Sequence, residues 1–270
     1  MISTMNPYAE IRKVPLDYNG MQSSAYSVQY LKEDKWSEVG VVSNKYMLLP
    51  NSEVKQAADQ VASEVNHDFE PDKTFFDGKR FIYSFKSTQE FDNISTGDDL
   101  AFGMQFWNSY DGSKSFGFSM FLYRLICSNG MMSKKFFNNL RFKHEPNSEN
   151  WQESLDSVVQ SINGTVQQGY NGNGMIGSFV HLLGKLSKLN VTTDILGDIR
   201  HKNAGMLSKV PVGTWGPIVD RFTDPNSPND KTGWGLVNSA TDILWHKEKP
   251  TMASYNQNAE IMDGLCHYVA

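Results

Sequence analysis

DDLAFGMQFWNSYDGSKSFGFSMFLYRLICSNG, residues Asp98 to Gly130, decides the fold. Leu100, Phe102, Met104 and Phe106 alternate with Ala101, Gly103, Gln105 and Trp107. A period of two marks a strand, because successive side chains point to opposite faces. Tyr110-Asp111-Gly112-Ser113 comes next, and Asp-Gly between two alternating apolar runs is a hairpin signal. From Lys114 to Ser128 the alternation resumes, with Phe116, Phe118, Met120, Leu122, Arg124 and Ile126 on one face. Ser128-Asn129-Gly130 stops it. Upstream, Lys79 to Ser87 sets Phe81, Tyr83 and Phe85 against Arg80, Ile82, Ser84 and Lys86. Three sequential strands with short connections predict an antiparallel meander.

Working outward, Met1 to Leu31 reads as irregular chain with a strand at Ala25 to Leu31, and Glu38 to Tyr46 reads as a second short strand. Val54, Ala57, Ala58, Val61 and Val65 recur at helical spacing, which predicts one early helix over Asn51 to Val65 with Ser52 as its cap. After the meander, Met131 to Leu140 reads as a short helix. Trp151 to Gln168 is amphipathic, with Trp151, Leu155, Val158, Val159, Ile162 and Val166 on one side. Gly169 to Gly174 (GYNGNG) is a joint. Helices are then expected over Met175 to Leu189, Thr192 to Arg200, Thr232 to Lys247 and Ala259 to Tyr268, with Val210 to Asp230, rich in Pro, Gly and Asn, as a long loop. The fold class is therefore α+β: an antiparallel β-meander with one early helix, followed by a mainly helical C-terminal half. The division expected is a β-rich region over 1–146 and a helical region over 147–270, packed on the sheet as one unit.

Charge singles out the same central stretch. Between Lys114 and His144 there is no acidic residue, while Lys114, Arg124, Lys134, Lys135, Arg141 and Lys143 interleave with seven phenylalanines and tyrosines. Lys73 to Lys143 holds ten Lys/Arg against six Asp/Glu, a net of +4, in a chain whose net charge is −5. Cations that track a backbone, with aromatic rings that stack on bases, are how single-stranded nucleic acid is held without sequence preference. The residues assigned to that role are Arg80, Lys86, Lys114, Arg124, Lys134, Lys135, Arg141 and Lys143, with Trp107 and Tyr110 near the hairpin tip as stacking rings. Most of the phenylalanines are better explained as core. Arg124, inside an apolar strand, requires either an acidic partner or an anionic ligand.

Other chemistry finds little support. Cys127 and Cys266 form no CxxC pair, and the six histidines are scattered, so no structural zinc is expected. Glu90, Asp92, Asp98 and Asp99 read as a polar loop, since adjacency does not make oxygens converge on a cation. GYNGNG lacks the lysine and preceding strand of a phosphate loop. No GxSxG frames a serine, and His246 and His267 are isolated. The expectation is a non-catalytic protein without metal or cofactor. Mean hydropathy is −0.46 and no apolar run reaches the ~20 residues of a membrane helix. With no secretory leader at Met1 to Lys13, the location expected is cytoplasmic.

Three segments carry a resemblance: Val39 to Glu53 (VGVVSNKYMLLPNSE), Asn108 to Gly130, and Gly233 to His246 (GWGLVNSATDILWH). They are similar to the phage/plasmid-like proteins that carry a conserved domain of unknown function. The matching features are Val42-Ser43 with Tyr46 before an asparagine-started helix, and Asp111-Gly112-Ser113 leading to Arg124, Cys127 and Asn129. Near the C-terminus they are Trp234, Asn238 and His246. The resemblance covers most of the chain from about Val39 onward. It implies a mobile-element origin but supplies no mechanism. Together with the charge pattern it gives the expectation of a phage- or plasmid-type nucleic-acid-binding protein, acting in single-strand annealing, recombination or replication and capable of homo-oligomerisation. The alternative is a protein-interaction module with a host or phage protein as partner: a host-takeover or anti-defence factor, or a self-assembling structural protein.

Overall fold

The computed structural model describes residues 5–93, 99–124, 129–131, 139–145, 154–202, 210–227, 229–245 and 252–270. It is an α+β protein with two antiparallel sheets and a mainly helical C-terminal half. The first sheet has the order β1 (Ile11–Tyr18), β2 (Met21–Lys32), β3 (Lys35–Ser43). Helix α1 (Asn51–Glu64) follows. The second sheet runs β4 (Phe69–Phe76), β5 (Arg80–Asn93), β6 (Asp99–Ser109), β7 (Phe116–Arg124), β8 (Asn129–Met131), with β9 (Asn139–Phe142) also paired to β7. The expected meander is its centre, β5-β6-β7. Beyond β6, strand β7 pairs Ser119 to Phe116 with β9 and Leu122 to Arg124 with β8.

The N-terminal expectation is corrected. Residues 11–32 are a hairpin: the strand expected over Ala25 to Leu31 lies within β2, while the chain before it, read as irregular, forms β1 and the start of β2. Asn19 and Gly20, with φ of 52° and 77°, form the two-residue turn that matches strand twist, and Glu33-Asp34 make a second such turn into β3. Pro15 sits on the edge strand β1, where a missing N–H costs nothing, and the register shifts between it and Asp17. Three further expectations change. The helix over Met131 to Leu140 does not form as read: Met131 ends β8 and Asn139-Leu140 open β9, with 132–138 outside the described residues. The loop over 210–230 contains a helix, because Trp215, Ile218 and Phe222 share a buried stripe that outweighs Gly213, Gly216 and Pro217. Helix α1 begins at Asn51 with Pro50 as its cap residue, and Ser52 makes no cap bond.

The chain forms two compact units. The first comprises Met1–Lys86, Met104–Ser119 and Asn139–Asn163, and the second comprises Ser87–Gly103, Met120–Asn138 and Gly164–Ala270. In the first, Val28, Tyr30, Val39 and Val42 of sheet one pack with Tyr110, the residue after β6, flanked by Tyr26, Tyr46, Leu48 and Phe76. Gly40 allows this approach, since a Cβ there would lie 2.7 Å from the Asp111 backbone. The second unit holds α2 (Leu155–Tyr170) from Gly164 on, α3 (Gly174–Leu186), α4 (Thr193–Lys202), α5 (Val212–Thr223), α6 (Gly233–Trp245) and α7 (Met252–Val269). Helix α6 packs on both α5 and α7. Its Trp234, Val237, Ala240 and Leu244 are buried, as are Ile261, Met262 and Leu265 of α7.

Burial in the second sheet has a consequence for function. Phe81 through Phe85 are all buried, as is every residue of β6 after Asp99 and every described side chain of β7. Over Phe81 to Phe85, Leu100 to Ser109 and Phe116 to Tyr123 the central strands therefore have no solvated face on which a groove lined by cations could lie.

Candidate functional site

Arg80, Lys114 and Lys143 stand at strand ends and turns of the second sheet, where its buried centre gives way to solvent, whereas Lys86 lies within β5 and Arg141 within β9. The β6–β7 turn is built by local hydrogen bonds. Asp111 Oδ1 accepts from the Ser113 N–H at 2.9 Å, and Gly112 takes φ 71°. Ser109 Oγ accepts from the Lys114 N–H at 3.0 Å and donates to the Lys114 carbonyl at 2.8 Å. The segment after β3 is tied to this turn by the Tyr46 hydroxyl, which donates to the Ser109 carbonyl at 2.7 Å. Burial, reinforced by the charge of Asp111, pushes that hydroxyl up to about 12 against the hydrogen bond to Ser109, so it remains a donor. The end of β9 is tied to the same segment: the Met47 N–H donates to the His144 carbonyl at 2.9 Å.

Between these three segments lies an open cleft of about 340 Å³, lined by Lys45, Lys114, Lys143, His144 and Glu145, together with Ser43, Tyr46, Gly112 and Ser115. Three lysines against one glutamate give the lining an excess of positive charge. Arg80 stands at the same turn, with Nε donating to Ser113 Oγ at 3.1 Å. His144 is buried, with 7% of its surface exposed. Its ring stacks on Tyr46 at a centroid distance of 4.6 Å, and Nδ1 lies 3.0 Å from the Met47 carbonyl. Nε2 has no hydrogen-bond partner. Burial holds this imidazole below its usual range, against the opposing effect of the Met47 carbonyl.

The residues assigned from sequence thus separate. Arg80, Lys114 and Lys143 come together at the turn and cleft. Arg141 is exposed on β9, two residues before Lys143, with its backbone paired to Gly117. Lys86 forms an ion pair with Glu70 at 3.0 Å and does not line the cleft. Lys134, Lys135 and the side chain of Arg124 lie outside the described residues, as do Cys127 and His246. Trp107 and Tyr110 are corrected from stacking platforms to core. Trp107 packs so tightly over Gly117 that a Cβ there would lie 2.3 Å from the indole. Tyr110, 1% exposed, accepts the Asn51 N–H at 2.9 Å and so caps α1. Sequence reading missed Lys45 and His144. Lys45 falls in a segment read as strand, and nothing in a linear pattern brings it to Lys114 and Lys143.

GYNGNG proves to be a helix–helix joint, with Gly172 and Gly174 at positive φ. Gly169 lets α2 approach Phe102, which a Cβ would meet at 2.3 Å. Trp234 and Asn238 are buried in the helical core. Among the described residues, no group of three or more His, Cys, Asp or Glu is arranged to hold a metal ion, and no helix is long and apolar enough to cross a membrane.

Fold and cleft together define a class: an α+β protein whose lysine-lined cleft is assembled around a β-hairpin turn. The chain belongs to the family defined by a domain of unknown function, DUF932, whose model matches residues 38–265. That match begins within β3 and takes in all three segments of the cleft. No curated protein and no solved structure matches the chain.

Proposed function

We propose that the protein binds a polyanion, single-stranded nucleic acid, through the cations gathered at the β6–β7 turn. The observation that carries this reading is the convergence of Lys45, Lys114 and Lys143 on one cleft from three separated segments, with Arg80 held at the same turn. The described central aromatics are buried, so phosphate contacts rather than base stacking supply the affinity. Such binding is sequence-tolerant and sensitive to salt. An annealing, recombination or replication accessory role, on a phage or plasmid, would use a surface of this kind, and a mobile-element origin is part of the same proposal.

The test is fluorescence anisotropy with a labelled single-stranded oligonucleotide. Three phosphate contacts give a slope near −2 in log K against log salt, or a loss of about 20-fold between about 50 and 200 mM salt. The double substitution Lys114→Glu and Lys143→Glu abolishes the salt-dependent component. Lys86→Gln leaves it unchanged, because Lys86 is engaged with Glu70. Absence of binding at low salt, or equal binding by the charge-reversed protein, removes the proposal. A tight protein partner unaffected by these charges would put a protein-interaction module in its place.

A further inference from the structure

We propose that the cleft takes a phosphate monoester, carried on the end of a nucleic-acid strand, in preference to the phosphodiesters of the strand interior. The inference rests on the nucleic-acid reading above and names the part of the strand that the site holds.

The three lysines reach the cleft on backbone that is tied in place. Lys13 Nζ donates to the carbonyls of Asn44 and Tyr46, on either side of Lys45, at 3.0 and 2.7 Å. Ser109 Oγ bonds both the N–H and the carbonyl of Lys114. The residue after Lys143 accepts the Met47 N–H through its carbonyl. Lys45 and Lys143 are exposed and Lys114 is half-buried, so none of the three is sealed in the core as His144 is. Gathering three like charges from separated segments is unfavourable without an anion, and the fold fixes the backbone that gathers them.

Charge and size choose among anions. Three lysines less Glu145 leave the lining with a net charge of +2. Burial keeps the Tyr46 hydroxyl protonated and the His144 ring neutral at neutral pH, so neither alters that balance. A phosphodiester carries a single negative charge and leaves the lining positive. A phosphate monoester carries about two, because its second proton is lost near pH ~6. Its additional terminal oxygen gives a further acceptor to lysines, which bind phosphate as point charges. Grooves that follow a strand hold about 4–16 nucleotides along a line of cations. Here the volume is about 340 Å³, at the lower end of the roughly 300–1,000 Å³ of small-ligand sites. The buried centre of the sheet does not continue the cleft as a charged groove, and Lys86, farther along β5, is paired with Glu70. That room suits one terminal nucleotide rather than a run of interior ones.

The experiment is competition anisotropy. A labelled 5′-phosphorylated oligothymidylate is displaced by unlabelled strands of the same length that end in a 5′-hydroxyl, a 5′-phosphate, a 3′-phosphate, or a 5′-phosphate closed by a methyl ester. Each exposed ion pair contributes up to about fivefold, so a terminal phosphate at the end that is held is expected to raise affinity roughly 5- to 20-fold over the hydroxyl end. The methyl ester is nearly the same size with one charge less, and is expected to lose most of that gain. Lys45→Gln, at an exposed side chain, is expected to reduce the gain about threefold while strand binding persists. An unchanged gain in this variant overturns the place of Lys45 in the site. Equal affinity for phosphate- and hydroxyl-ended strands overturns the end preference and leaves nucleic-acid binding intact. A methyl ester that binds as tightly as the free phosphate overturns the charge match. Thymidine 5′-monophosphate competing as well as the phosphorylated strand overturns the strand as the source of the monoester. No binding by any strand overturns both readings. The comparison of strands needs only the wild-type protein, so it decides even if Lys45→Gln fails to fold.

Discussion

The two sheets bury their strands to different degrees. In the first, β3 buries only Val39 and Val42, set three residues apart by the register shift opposite Val28 and Gln29, and exposes Lys35, Ser37, Glu38, Val41 and Ser43. In the second, β5 is buried at five consecutive residues, Phe81 to Phe85, and β6 is buried through its length after Asp99. Even Ser84, a polar residue on the face shared with Arg80 and Lys86, is buried and hydrogen-bonded to the Lys73 backbone. The difference decides where charge can stand. On the first sheet cations occupy a face, as where Arg12 lies 3.9 Å from the Trp36 ring and donates to Gln29. On the second, three of them stand at the ends, where Arg80 opens β5, Lys114 follows the turn and Lys143 follows β9, while Lys86 within β5 is paired with Glu70. That placement is what gathers Lys114 and Lys143 with Lys45 at one cleft.

The comparison is broken most sharply by substitutions at matched strand positions. Phe118 is fully buried on β7, 5.3 Å from the Phe106 ring and opposite Leu140. Phe118→Ala is expected to cost about 3–5 kcal/mol, the lost transfer energy plus the cavity. Val41, half exposed on β3, tolerates replacement by Thr within about 0.5 kcal/mol. The check is the urea midpoint of each variant at unchanged slope. Equal costs would mean that the two sheets are not differently buried.

The meander and most of the helices were legible because alternation over Leu100 to Trp107 and a helical stripe such as Val54, Ala57, Ala58 and Val61 are local. What escaped has physical reasons. The N-terminal hairpin buries few side chains, among them Val28 and Tyr30, so its strands are polar and their pattern weak, although Asn19-Gly20 stood as a turn signal. Helix α5 is hidden by Gly213, Gly216 and Pro217, whose propensity is overridden by tertiary burial of Trp215. Arg80 and Lys86 alternate with aromatics and so were assigned together to one binding role, whereas Ile82 and Ser84 between them are buried. The cleft was half legible. Lys114 and Lys143 were chosen for charge, but Lys45 reaches them only through the long-range ties of Tyr46 and Met47.

Tyr110 sharpens the comparison at a point where both sheets share one core. Its ring packs with Val28, Tyr30, Val39 and Val42, and its hydroxyl accepts the first N–H of α1, where Pro50 offers no capping side chain. Burial raises this hydroxyl well above the usual tyrosine range, so it stays protonated throughout neutral pH. Tyr110→Phe keeps the ring and leaves the Asn51 N–H buried without its acceptor. The expected cost is about 1–3 kcal/mol, smaller than for Phe118→Ala. Faster hydrogen exchange at the start of α1 would locate it. A loss spread evenly over the sheet, with α1 protection unchanged, would show that the hydroxyl does not act as the cap.

The smallest effect expected lies in the two turns of the first sheet, which share a geometry but not a composition. Asn19-Gly20 uses residues suited to positive φ, whereas Glu33 adopts φ 49° with a side chain that is not and Asp34 adopts φ 62° at a cost that Gly would not carry. A left-handed conformation costs an L-residue about 1–2 kcal/mol, less for Asp, whose side chain bonds locally. Asp34→Gly removes that strain but enlarges the entropy of the unfolded chain by about 0.4–1 kcal/mol. The net is a gain near 0.5 kcal/mol, while Asp34→Ala, which keeps a Cβ and loses the polar side chain, moves stability the other way. Opposite signs for the two variants in urea denaturation tie the effect to backbone conformation. A shared sign would assign it instead to the loss of a negative charge beside Lys32 and Lys35, which close the same turn as a pair.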